Sequence, residues 1–172
     1  HWLITHAGEL GVSADSIVIG GQSAGGGLAA ALCQRLHDEG GTQPVGQWLF
    51  CPMLDDRAVS TERNVIWDAD SNARAWRFYV RDNPDAPYAV PSRRADLSGL
   101  PPAWLYAGHS GLFYGEILDY AQRLRSAGVP TECEVVEGGV HAFELWAPCS
   151  AAAKRLLMSS RMWLAHVLDA LD

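Results

Sequence analysis

The apolar residues of this chain alternate between short runs and longer segments with helical spacing. The short runs are rich in β-branched and aromatic residues and predict strands, whereas the longer segments predict helices. The predicted strands cover residues 16–20, 45–51, 103–107 and 131–137. The predicted helices cover residues 1–10, 27–39, 114–127 and 150–171. Strands that alternate with helices of this length predict a mostly parallel sheet with helices on both faces, which is an α/β fold.

Residues 55–102 interrupt this alternation. The segment is rich in charged residues, proline and tryptophan, and only residues 72–81 within it have helical spacing. We therefore predict that residues 55–102 are an insertion and not a core element. The length of 172 residues corresponds to one domain around that insertion.

The first predicted strand runs directly into a glycine-rich turn. Residues 16–27 read SIVIGGQSAGGG and contain a Gly-x-Ser-x-Gly motif centred on Ser23. A strand that turns sharply into a helix strains the backbone of the central serine, so Gly21 and Gly25 are expected to avoid clashes on either side. The turn would expose the Ser23 hydroxyl, and the backbone N–H of Ala24 would point at a developing oxyanion. We interpret Ser23 as a nucleophile, with an ordinary glycine turn as the alternative.

A histidine follows the fourth predicted strand. Sites in parallel sheets lie beyond the carboxyl ends of the strands, so His141 and Ser23 are expected at the same edge. A neutral imidazole within hydrogen-bond reach of Ser23 could take its proton during attack and return it to the leaving group. The alternative is a solvated or backbone-bonded loop histidine.

Composition and charge exclude several function classes. The net charge of −7 and the lack of Lys/Arg clusters argue against nucleic acid and anionic membrane surfaces as partners. No apolar stretch is long enough to predict a membrane span, and a cytoplasmic location is expected. The four cysteines lack metal-binding spacing and are expected to be buried free thiols, so no metal site is predicted. The glycine run lacks dinucleotide-binding spacing, so no cofactor is predicted.

Motifs along the whole chain resemble one known family, the hormone-sensitive-lipase-like esterases of the α/β-hydrolase fold. The matching segments are GQSAGGG, LFCPMLDDR at residues 49–57, RADLSGLPPAW at 94–104, EILDYAQRLRSAGVP at 116–130 and GGVHAFE at 138–144. The resemblance implies a carboxylic-ester hydrolase that acts on small esters through an acyl-enzyme on Ser23, with His141 as base. It also implies that residues 55–102 form part of a cap. Four aromatic residues could line the cap's pockets or merely pack within it: Trp67, Trp76, Phe78 and Tyr79.

The first departure from the family pattern concerns how much of the fold precedes the nucleophile. Members of the family have four strands and a His-Gly-Gly-Gly oxyanion loop before the nucleophile, whereas 22 residues precede Ser23 here. The resemblance therefore implies the C-terminal half of the fold, with residues 1–172 as a partial domain. Only the N–H of Ala24 can then be assigned as an oxyanion donor. Residues 17–19 would form an open, apolar sheet edge, which predicts self-association.

The second departure concerns the catalytic acid. Gly111 stands where family members carry the aspartate, and Gly115 stands at another position where aspartate is common. Loss of the orienting carboxylate costs ~10⁴ in turnover in a serine-protease precedent.

Three carboxylates could replace the missing acid. Asp55 is the favoured substitute, because its loop lies beside the nucleophile's strand in this architecture, and Asp56 and Glu116 are the other candidates. Alternatively, Asp55 and Asp56 anchor the insertion and Glu116 supports the first turn of its helix. Two functions stay open: an impaired ester hydrolase, or an inactive remnant or binding module of the same fold.

Overall fold

Four parallel strands form a single sheet in the order β1-β2-β3-β4. A computed structural model describes residues 1–58, 64 and 66–170 of the chain. The strands within this part are β1 (Val18–Gln22), β2 (Gly46–Phe50), β3 (Ala103–Gly108) and β4 (Thr131–Val136). The predicted α/β class and the parallel sheet are confirmed.

Helices connect the strands at nearly the predicted positions. They are α1 (Trp2–Thr5), α2 (Ala7–Leu10), α3 (Ala24–Glu39), α4 (Ala69–Val80), α5 (Tyr114–Ser126), α6 (Phe143–Trp146) and α7 (Ala151–Asp169), with a 3-10 turn at Pro91–Arg93. The single helix predicted over residues 1–10 is instead two short helices that meet at His6. Helix α3 begins three residues earlier than predicted, directly after Ser23.

Strand β3 lies at the centre of the core. All six of its residues are buried, because helices cover both faces of a parallel sheet. Helix α3 packs against β1 and β2 through small side chains such as Ala29 and Ala30. None of the described helices combines the length and apolarity that a membrane span requires.

Close approaches explain Gly21 and Gly27 of the turn segment, but not Gly25. A Cβ on Gly21 would lie 2.2 Å from the carbonyl oxygen of Gly25, and one on Gly27 would lie 2.1 Å from that of Met53. Glycine is therefore required at both positions, because a side chain would collide with backbone. A Cβ on Gly25 would meet nothing within 4 Å, so the expected steric need for glycine there is wrong.

The described part of residues 55–102 forms no strand, yet it contributes to the core. Trp76, Val90, Leu97 and Leu100 are buried in the same cluster as the strand residues. Side chains of the segment therefore pack into the core, while its roles as an insertion and as a cap stay predictions.

All four cysteines are free, as expected, but they are not all buried. Cys33 and Cys51 are buried, whereas Cys133 is partly accessible and Cys149 is exposed. The expectation of buried thiols is therefore confirmed for two of them and wrong for Cys149.

Candidate active site

Ser23 occupies the turn between β1 and α3 in a strained backbone conformation. Its φ of 55° and ψ of −122° lie in a region that residues other than glycine rarely adopt. Three backbone hydrogen bonds hold it: Ser23 N–H donates to Phe50 O at 2.9 Å, and its carbonyl accepts from Gly27 N at 3.1 Å and Met53 N at 2.9 Å. The surrounding structure therefore imposes the conformation that raises this serine above the sheet.

The N–H of Ala24 is available at the start of α3. Ala24 is the first residue of this 16-residue helix, so its N–H has no acceptor within the helix. The helix dipole adds positive potential at the same end. A negatively charged oxygen bound beside Ser23 would therefore be stabilised at this point.

The Ser23 hydroxyl and the His141 imidazole are hydrogen-bonded. The distance from His141 Nε2 to Ser23 Oγ is 2.9 Å, so the contact expected from the sequence is present. His141 follows β4 and only 8% of its surface is exposed. Burial lowers the pKa of His141 below its ordinary value. The imidazole is therefore neutral at neutral pH and can accept the hydroxyl proton.

The ring of Phe113 orients the His141 imidazole. The two rings pack edge to face, with centroids 4.9 Å apart, and Phe113 is almost fully buried. Such contacts favour one orientation of the ring over others. Phe113 was not predicted from the sequence, although its place in the loop after β3, two residues beyond Gly111, could have indicated it.

No carboxylate in the described part of the chain is hydrogen-bonded to His141. Both oxygens of Asp55 accept from Arg57 instead, at 2.8 Å from Nε and 2.7 Å from Nη2. The favoured substitute acid therefore does not make the contact expected of it. Asp56 is similarly engaged, because both of its oxygens accept from Arg93. These two pairings agree with the alternative interpretation, in which both aspartates anchor the insertion.

Glu116 holds the loop that follows β2. Its Oε1 accepts from the N–H of Leu54 at 2.7 Å and from that of Asp55 at 3.4 Å. Its Oε2 is buried without a hydrogen-bond partner among the described residues. Burial raises the pKa of Glu116 to about 8, against the opposing effect of the two N–H donors. Glu116 is therefore a structural partner of the loop and is not bonded to the histidine.

An apolar cavity of about 150 Å³ opens beside Ala24. Its walls come from α3, α4 and the loops after β2 and α4: Ala24, Gly27, Leu28, Met53, Ala75, Trp76, Tyr79, Ala89 and Pro91. Two of the four aromatic candidates, Trp76 and Tyr79, therefore line it. Phe78 is 81% exposed and does not line the cavity. Trp67 does not line it either, and its indole N–H donates to Asn72 at 3.1 Å.

The described residues contain no cluster of side chains suited to binding a metal ion. Across residues 1–58, 64 and 66–170, no three His, Cys, Asp or Glu side chains are grouped so that they could hold an ion.

Named esterases are among the proteins whose sequences match this chain. Esterase LipI of Mycobacterium tuberculosis is 32% identical over 88% of this chain and 50% of its own length. Carboxylic ester hydrolase LipN of the same species is 30% identical over 96% of this chain and 49% of its own. The chain thus spans about half the length of the curated relatives it matches.

Solved structures support the same relationship. A bacterial heroin esterase superposes with a TM-score of 0.90 and 33% identity, covering 97% of this chain and 56% of that one. Esterase LipW from Mycobacterium marinum superposes with a TM-score of 0.88 and 32% identity, covering 99% and 55%. A family model with the description "alpha/beta hydrolase fold" matches residues 1–145 of this chain. The resemblance to hormone-sensitive-lipase-like esterases is confirmed, and the chain belongs to the alpha/beta hydrolase fold family.

Proposed function

We propose that this chain carries the nucleophile and the base of a carboxylic-ester hydrolase that acts on small acyl esters. The observation that carries the proposal is the 2.9 Å hydrogen bond between Ser23 Oγ and His141 Nε2 at the carboxyl ends of the strands. A serine hydroxyl is a weak nucleophile unless a neighbouring base removes its proton. The neutral, buried imidazole of His141 is such a base.

The reaction follows from this geometry in two halves. His141 Nε2 takes the Ser23 proton while Oγ bonds to the ester carbonyl carbon, and the oxyanion that forms accepts from the N–H of Ala24. The imidazolium then returns its proton to the alkoxide, the carbon–oxygen bond of the ester breaks, and the acyl group stays on Ser23. A water molecule activated by His141 repeats the sequence and releases the carboxylic acid.

The apolar cavity beside Ala24 would hold the acyl chain. Its volume of about 150 Å³ suits a short aliphatic chain, and its walls offer almost no polar partners. Trp76 and Tyr79 on α4 close one side, which supports the assignment of residues 55–102 to a cap over the site.

We also propose that turnover by these 172 residues is impaired. Glycine at position 111 supplies no carboxylate to fix the tautomer of His141 or to stabilise the imidazolium, and no carboxylate in the described part of the chain is hydrogen-bonded to it. The corresponding loss in the serine-protease precedent is ~10⁴. The alternative, an inactive remnant or binding module of the same fold, is favoured by the same glycine and by the pairing of Asp55 with Arg57. The cytoplasmic location stays a prediction.

Mass spectrometry of the chain after incubation with a short activated ester tests the proposal. An acyl group on the peptide that contains Ser23, absent from Ser23→Ala, is the expected result. Equal acylation of Ser23→Ala would contradict it. No acylation of either the parent chain or a Gly111→Asp variant would favour the binding module.

A further inference from the structure

Backbone strain is concentrated around the serine and the histidine, in the loops that follow β1, β2 and β4. Five non-glycine residues of the described chain have positive φ, and three of them lie at this site: Ser23 at 55°, Cys51 at 34° and Ala142 at 54°. Such conformations are unfavourable and persist only where neighbouring groups hold them. The residues that hold these loops together therefore decide whether Ser23 and His141 stay in contact.

One buried carboxylate joins the loops of Ser23 and His141. Glu144 lies three residues after His141 and is only 5% exposed. Its Oε1 accepts from the side-chain amide of Gln22, the residue immediately before Ser23. Its Oε2 accepts from the phenol of Tyr106 in the central strand. Glu144 thus binds the nucleophile turn with one oxygen and the rigid sheet with the other.

Tyr106 extends this connection toward Cys51. The phenol of Tyr106 and the backbone of Ala142 and of Ser23 are among the neighbouring groups that act on the pKa of the Cys51 thiol. Burial raises the pKa of the Cys51 thiol to about 11, so the thiol stays neutral in this position. The strained residues Ser23 and Ala142 therefore adjoin one polar cluster, made of Gln22, Glu144, Tyr106 and Cys51, and Cys51, the third strained residue, belongs to that cluster.

We propose that Glu144 is a positioning residue, which ties the loop of His141 to the turn of Ser23 through Gln22 and Tyr106. Its catalytic consequence rests on the proposed hydrolase function, because Glu144 itself does not touch the reacting atoms. An ionised carboxylate only accepts hydrogen bonds, and both of its partners here are donors. Buried polar clusters of this kind, when fully bonded, hold a single arrangement of the groups around them.

The chemistry at position 22 makes the proposal specific. The side-chain amide of Gln22 can donate to Glu144, whereas a carboxylate in its place could only accept. A carboxylate at position 22 would face the carboxylate of Glu144 and repel it. Exchanging the two groups, with a carboxylate at 22 and an amide at 144, would restore one donor and one acceptor.

Four variants test this pairing. Glu144→Ala removes the carboxylate that accepts from Gln22 and Tyr106. Gln22→Glu places a second carboxylate opposite that of Glu144. Gln22→Glu combined with Glu144→Gln exchanges the amide and the carboxylate. Glu134→Ala is the matched control, because Glu134 also accepts from two side chains, Trp104 and Ser159, but lies on β4 away from Ser23.

Two readouts separate positioning from folding. The first is the rate at which a short-chain fluorophosphonate labels Ser23, corrected for the folded fraction from thermal unfolding. The second needs no reaction: NMR titration of His141 with and without Ser23→Ala. The serine hydroxyl donates to the neutral imidazole, so removing it raises the pKa of His141 wherever the two side chains are in contact.

The expected results form a pattern that a purely structural role would not produce. Glu144→Ala and Gln22→Glu slow labelling roughly 10- to 100-fold and abolish the Ser23-dependent shift in the pKa of His141. The exchanged pair restores both readouts, and Glu134→Ala changes only the unfolding temperature. Should Glu144→Ala fail to fold, Gln22→Glu and the exchanged pair decide the question in the same way.

Three results would overturn the proposal. The first is a folded Glu144→Ala or Gln22→Glu variant in which both the Ser23-dependent shift in the pKa of His141 and the labelling rate equal those of the parent chain. The second is an equal loss of labelling in Glu144→Ala and Glu134→Ala. The third is an exchanged pair as slow as Gln22→Glu alone. If the parent chain is not labelled at all, the hydrolase function fails, and the pKa shift alone then decides whether Glu144 positions His141.

Discussion

The backbone of Gly111 faces that of His141 across the site. A Cβ built on Gly111 would lie 3.5 Å from the backbone nitrogen of His141 and 3.7 Å from its Cα. This is the place from which a carboxylate could reach the imidazole. The φ of Gly111 is not in the left-handed region that disfavours side chains, so an aspartate is tolerated once Gly108 O, 3.1 Å from that Cβ, moves slightly.

Gly111→Asp is therefore expected to strengthen the base. The added carboxylate raises the pKa of His141 and speeds labelling of Ser23 by a fluorophosphonate. The gain in ester turnover stays below the ~10⁴ of the triad precedent, because one oxyanion donor is assigned in these residues. The matched control is Gly115→Asp, since Gly115 is exposed and its Cβ would meet nothing within 4 Å. Equal effects of the two substitutions would contradict this prediction.

Trp76→Ala tests whether the cavity beside Ala24 holds the acyl chain. Trp76 is 5% exposed, so its removal is expected to cost about 3–5 kcal/mol of unfolding free energy. It also enlarges the cavity, so phosphonates with longer alkyl chains should gain in labelling rate relative to short ones. Phe78→Ala, which removes an 81% exposed ring, should change neither the chain-length preference nor the stability by more than about 0.5 kcal/mol. An unchanged preference in Trp76→Ala would place the acyl chain elsewhere.

Glu116 should make stability depend on pH in an unusual direction. Its pKa of about 8 in the folded chain lies above its ordinary value of 4.5, so the folded state retains the proton between these pH values. The stability this group contributes is complete at low pH and is lost as the pH rises toward about 8. Urea unfolding of the parent chain and of Glu116→Gln across this range should show the parent losing stability relative to the variant. A constant difference would contradict the buried, protonated state.

In these 172 residues taken by themselves, the edge of the sheet at β1 should mediate self-association. Among the described strands β1 pairs only with β2, and Val18 at this edge is not packed into the core cluster. An open, apolar edge is a template for pairing with another strand. Sedimentation should show association that grows with concentration and weakens in Val18→Lys, but not in Val12→Lys, where an exposed side chain outside the strand is changed. A monomer at all concentrations would argue against an associating edge.

The order of the elements and the pair Ser23 and His141 could be predicted because both depend on local signals. The Gly-x-Ser-x-Gly turn requires a strand before it and a helix after it, and both are present. A histidine that follows a parallel strand lies at the carboxyl-end edge of the sheet, where Ser23 also lies. His141 is accordingly hydrogen-bonded to Ser23.

The remaining features depend on contacts that no local pattern encodes. Asp55 was expected to face the histidine, but Arg57 two residues later binds it instead, and only the path of the loop decides between them. Phe113 packs against His141, 28 positions along the chain, and Glu144 accepts a hydrogen bond from Gln22, 122 positions away. Such distant pairings follow from tertiary structure and not from spacing along the chain.

The pH dependence of covalent labelling at Ser23 tests the serine–histidine pair more sharply than any other measurement. A fluorophosphonate should modify the parent chain on the Ser23 peptide alone, should not modify Ser23→Ala, and should modify His141→Ala far more slowly. Ser110→Ala, which changes an exposed serine near the site, should leave the rate unchanged. Burial lowers the pKa of His141, so the rate should be constant at neutral pH and fall as the pH drops below the ordinary histidine range. Labelling that persists in Ser23→Ala, or a rate that His141→Ala does not change, would contradict the assignment of Ser23 as nucleophile and His141 as its base.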